Sequence, residues 1–104
     1  MTKKIKLTLP IGEVPVTGKQ ISFVAPCDCS IVECLQIDGV NYCVVDAMGN
    51  KVTQQDGGGV WDLGAKVSVI LDCDYTDDHG NRRAYLLNGN TPPITIAKIR
   101  EICT

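Results

Sequence analysis

Residues 34–44 read C-L-Q-I-D-G-V-N-Y-C-V, and this stretch decides the fold class. Asp38 and Gly39 stand between two runs of alternating apolar and polar residues. That is the strongest short-range signal for a β-hairpin closed by a two-residue type I′ turn. If the turn is there, the register follows. Ile37 faces Val40, Gln36 faces Asn41, Leu35 faces Tyr42 and Cys34 faces Cys43, and opposed residues share a face of the sheet. One face is then Leu35, Ile37, Val40, Tyr42 and Val44, while the other is Cys34, Gln36, Asn41 and Cys43. A slip of one residue would mix these two sets, so their separation argues for the register.

The same alternation recurs outward from the hairpin. Ile5, Leu7 and Leu9 form one set, Ile21, Phe23 and Ala25 a second, and Val67, Val69, Leu71, Cys73 and Tyr75 a third. Ala84 and Leu86 continue the last set across the polar loop 76–82, with Arg83 and Tyr85 turned the other way. Val, Ile and Thr supply 29 residues against 12 for Ala and Leu, which favours pleated over helical structure. Glycines at 12, 18, 39, 49, 57–59, 80 and 89 punctuate the chain as tight turns between short strands do. The run Q-Q-D-G-G-G at 54–59 reads as a mobile loop. At 104 residues the chain is one domain.

The expectation is therefore an all-β domain over 1–104, a small antiparallel sandwich or partly open barrel of six to eight strands. Residues 1–20 form an N-terminal edge strand and turns, because Pro10 and Pro15 cannot donate to an interior ladder. Residues 91–104 form a C-terminal extension. After Pro92 and Pro93 it reads either as one short helix, with Ile96, Ile99 and Cys103 on one face, or as a short strand through Ile94 and Ile96.

Ten basic and twelve acidic residues give a net charge of -2, which argues against a nucleic-acid or anionic-membrane partner. No window is apolar enough to span a membrane. The amino terminus has no apolar signal core, so synthesis in the cytoplasm is expected, with the six cysteines mostly packed as thiols. Cys27, Cys29, Cys34 and Cys43 lack the paired C-x₂-C knuckles of structural zinc. Asp72, Asp74 and Asp77 are the densest hard-oxygen ligands, but Asp77 stands where an EF-hand needs glycine and Arg83 where it needs glutamate. They are weak candidates for calcium, and no metal or other cofactor is expected. The only histidine, His79, lies among acids on a loop. No nucleophile motif or phosphate loop occurs, so the expectation is a protein that is not an enzyme. Cys34 and Cys43 remain as a thiol pair able to form a disulfide in an oxidising medium.

The stretches 21–29 (I-S-F-V-A-P-C-D-C), 37–50 (I-D-G-V-N-Y-C-V-V-D-A-M-G-N), 67–72 (V-S-V-I-L-D) and 83–88 (R-A-Y-L-L-N) resemble a small β module of tail-associated structural proteins from phages and prophages of gut Firmicutes. The resemblance implies a virion structural or assembly protein, incorporated into a phage particle, that acts through self-association or contacts with other virion proteins. It carries no catalytic residue. The alternative is a small carbohydrate-binding β-sandwich module using exposed aromatics among Tyr42, Trp61, Tyr75 and Tyr85.

Overall fold

The computed structural model describes residues 3–54, 61–87, 95–96 and 98–103. They form β1 (Lys3–Thr8), β2 (Gln20–Val24), a 3-10 turn (Cys29–Ile31), β3 (Val32–Ile37), β4 (Val40–Val45), β5 (Lys66–Asp72), β6 (Arg82–Leu86), β7 (Thr95–Ile96) and β8 (Lys98–Cys103). The protein is all-β, with no α-helix among the described residues. Its strands join in one sheet of order β7-β2-β5-β6-β4-β3-β1-β8, curled into a half-barrel.

The β3–β4 hairpin has the expected register, with Leu35 opposite Tyr42, Gln36 opposite Asn41 and Ile37 opposite Val40. Asp38 and Gly39 both take positive φ, 52° and 79°. That is the type I′ geometry, and it matches the right-handed twist of the flanking strands. Leu35, Ile37, Tyr42 and Val44 are all fully buried. β5 and β6 pair antiparallel with Val69 opposite Leu86 and Leu71 opposite Ala84, and β2 pairs β5 with Ile21 opposite Val69 and Phe23 opposite Val67. These inward rows merge with Ile5, Leu7 and Val32 into one core on the concave face.

The sheet is mixed, where antiparallel pairing was expected. β1 runs parallel to β3, β4 to β6 and β2 to β7. Tight turns fix only neighbours in sequence, whereas these partners lie across crossovers whose direction no local pattern encodes. β1 is also not an edge strand, since it lies between β3 and β8. Pro10 falls beyond its end and so never meets the ladder. The helical alternative for the C-terminal extension gives way to β7 and β8, because the exposed hydrogen-bonding edge of β1 takes a strand over Lys98–Cys103. The 54–59 loop falls largely outside the described residues.

Two irregularities shape the curl. Between β1 and β3 the register passes from Lys3–Val32 to Lys4–Cys34, which makes Glu33 an extra residue. Such a bulge sharpens the local twist, and it lets Val32 and Leu35 both face the core. β7 and β8 are separated by a single residue yet pair with β2 and β1 respectively. Consecutive Cα atoms are about 3.8 Å apart, so this one stretch of chain draws the two margins of the half-barrel together.

Candidate functional site

The topology puts two groups of loops at opposite ends of the strands. At the first end lie loop 9–19, the turn at Asp38 and Gly39, and loop 73–81. At the second end lie residues 25–31, 46–54 and 61–65. Apolar side chains fill the concave face between the two ends.

Near the first end, a polar cluster borders the core. The Tyr42 hydroxyl lies 3.4 Å from Cys73 Sγ and accepts from Arg82 Nη1 at 3.3 Å. Thr17 Oγ1 accepts from the Cys73 amide at 2.9 Å and ties loop 9–19 to the end of β5. The shared face of Tyr42 and Cys73 was legible in the alternation, but the approach of Arg82 came from the parallel β4–β6 pairing and had no local signal. Loop 9–19 itself exposes Ile11 completely, along with much of Val14 and Val16. Among the described residues, Thr8, Leu9, Pro10 and Ile11 line a hollow of about 370 Å³.

On the convex face, the Arg83 guanidinium stacks 3.7 Å from the centre of the Tyr75 ring and 5.2 Å from that of Tyr85. It also pairs with Asp72 at 3.2 Å. Tyr75 thus leaves the buried row that the alternation assigned to it and turns outward to cover Arg83. Trp61 and Tyr42 are core residues.

The acidic segment does not converge. Asp72 faces Arg83, the Asp74 amide donates back to Asp72 Oδ1 at 3.2 Å, and Asp77 caps its own turn. The amides of Asn81 and His79 each donate to Asp77 Oδ1 at 2.8 Å, and they hold its carboxyl below the usual range. His79 is exposed on that turn. No group of three or more metal-ligating side chains forms among the described residues.

The cysteines divide by face. Cys27 and Cys29 belong to the concave core, while Cys34 and Cys43 lie on the convex face, one step beyond the Leu35–Tyr42 pair. Both are free thiols. Although Cys34 sits on the outer face, it is only 3% exposed. Burial, then the neighbouring Glu33 charge, push its thiol up to about 11. Burial also raises Cys27 and Cys43, and Tyr42 is raised by burial and then by its contact with Cys73.

These shifts set an alkaline response. Below pH 9, where an unfolded thiol begins to ionise, the stability contributed by neutral Cys34 is fully present. Between 9 and 11 only the unfolded state sheds its proton, so that stability drains away. The melting temperature is expected to fall progressively over this window, and Cys34→Ala to flatten the slope. A wild-type melting temperature that stays level to pH 11 would contradict the burial of these groups.

No helix among the described residues is long and apolar enough to cross a membrane. Comparison with protein-family models, curated proteins and solved structures finds no match to this chain.

Proposed function

We propose that this protein is a non-enzymatic structural or assembly subunit that works through protein–protein contacts, including contacts with its own copies. The observation that carries this reading is where the apolar side chains lie. The concave face is packed with them, while Ile11, Val14, Val16 and Leu63 are displayed on loops at the two ends of the sheet. Isolated exposed hydrophobics are ordinary, but a group of them on one loop beside a hollow is how a docking surface is built. The sequence resemblance to tail-associated modules of phages and prophages agrees with such a role, and under this proposal the assembly is a virion.

A carbohydrate platform has less support. Two of the four candidate aromatics are core residues, and the Tyr75 ring carries the Arg83 guanidinium on its face. Light scattering across a concentration series is expected to give a mass that rises above the 11.2 kDa of one chain. A strict monomer at the highest concentration would overturn the reading. Saturable binding to a glycan array would replace it with the carbohydrate reading.

A further inference from the structure

We infer that Cys34 and Cys43 form a redox-operated latch across the β3–β4 hairpin, resting as two thiols in a reducing medium and closing into a disulfide when a small-molecule disulfide such as oxidised glutathione reaches them. The latch is independent of the self-association proposed above.

Position singles out this pair. Backbone pairing of β3 with β4 runs from Ile37–Val40 at the turn to Leu35–Tyr42, and the next step outward along both strands opposes Cys34 to Cys43. Counting from the two-residue turn, Ile37 with Val40 is a hydrogen-bonded pair, Gln36 with Asn41 is not, Leu35 with Tyr42 is, and Cys34 with Cys43 is not. Non-hydrogen-bonded positions stand closest across a hairpin, with Cα atoms about 4.5 Å apart, inside the span of a disulfide. Gln36 and Asn41 show the effect, since Gln36 Nε2 donates to Asn41 Oδ1 at 3.0 Å. The two cysteines take the equivalent place two residues further out on the same convex face. Cys34 responds, after burial, Glu33 and Lys4, to the charge of Cys43 itself.

The row also excludes other partners. On its far side Cys34 has Lys4 and Cys43 has Arg83, so along the row each thiol has only the other to react with. Cys27 and Cys29 lie in the concave core, and Cys73 lies against Tyr42.

Exposure sets the order of events. Cys43 is half-buried, whereas Cys34 is 3% exposed, so the incoming disulfide meets Cys43 first. The Cys43 thiolate attacks one of its sulfurs, the S–S bond breaks, and the other half leaves as a thiol carrying the proton that Cys43 gave up. The Cys34 thiolate then attacks Cys43 Sγ and displaces the second half in the same way. Two protein thiols are oxidised, and one small disulfide is reduced to two thiols. The bridge ties the hairpin one step beyond the point where its backbone pairing stops.

The test incubates the full chain with excess oxidised glutathione, cleaves at Glu33 and Asp38 to separate the two cysteines, and maps the unreduced peptides by mass spectrometry. The expected product joins the Cys34 peptide to the Cys43 peptide, and the melting temperature of the bridged protein should rise by roughly 5–15 °C and return on reduction. Cys34→Ala should instead accumulate glutathione on Cys43, while Cys43→Ala should take up roughly tenfold less on Cys34, with circular dichroism as a check that each remains folded. Cys34 and Cys43 found as free thiols would overturn the inference, as would a bridge from either to another cysteine. A Cys34–Cys43 bridge that leaves the melting temperature unmoved would overturn the latch, and equal loading of the two variants would overturn the order of attack. Should a variant fail to fold, the map and the melt of the wild-type chain decide by themselves.

Discussion

Replacing Trp61 with alanine is expected to cost about 3–5 kcal/mol, the usual range for removing a large buried aromatic. For a domain this small that is a fall in melting temperature of roughly 15–30 °C. Trp61 is nearly fully buried and meets Phe23 edge to face, with ring centroids 6.3 Å apart and planes at 88°. Its indole Nε1 donates to Cys27 O at 3.1 Å, and its own carbonyl accepts from the Cys29 amide at 3.3 Å. One residue thus fills the core and fastens the connection from β2 to β3. Trp61→Phe retains most of the apolar volume but orphans the Cys27 carbonyl, and should cost about 1–3 kcal/mol. A thermal melt of the alanine variant within a few degrees of wild type would show that the connection is held by other contacts.

Removing residues 91–104 is expected to yield a chain that aggregates instead of folding. The truncation strips β8 from β1 along most of its length and β7 from Ile21 and Ser22 of β2, leaving the outward backbone N–H and C=O groups there unpaired. Open edges of this kind template association with other chains. Thioflavin fluorescence and pelleting should report the aggregate, and circular dichroism the loss of the cooperative melt. A soluble truncated chain that melts cooperatively near the wild-type temperature would mean that the six-strand sheet suffices by itself.

The truncated segment also marks where the sequence stops being informative. The β3–β4 hairpin was readable because Asp38 and Gly39 dictate a turn whose geometry fixes the register on both sides. The pairing of Val69 with Leu86 was readable for a similar reason, since two alternating runs share one loop. Residues 95–103 were ambiguous because Ile96, Ile99 and Cys103 satisfy a helical spacing as well as a strand. What decides between them is the free edge of β1, some 90 positions away in sequence. The parallel partnership of β4 and β6 is equally nonlocal, and with it went any chance of foreseeing Arg82 beside Tyr42. Tyr75 was misplaced because alternation assumes that the strand continues, whereas β5 ends at Asp72 and frees the following residues to follow the charge on Arg83.

The pairing of β1 with β8 has a consequence for biosynthesis. β1 precedes the other described strands in the chain, yet it receives its second neighbour only when residues 98–103 have left the ribosome. Its earlier neighbour, β3, also arrives by a crossover, so β1 has no hairpin partner on which to nucleate. Topologies dominated by such distant pairings fold slowly, because the loop must close before any contact rewards it. During translation the β3–β4 hairpin is the natural first structure, with Lys3–Thr8 held waiting as a half-satisfied strand. A nascent chain stalled before residue 98 should therefore recruit holdase chaperones more strongly than one in which residues 98–103 have emerged.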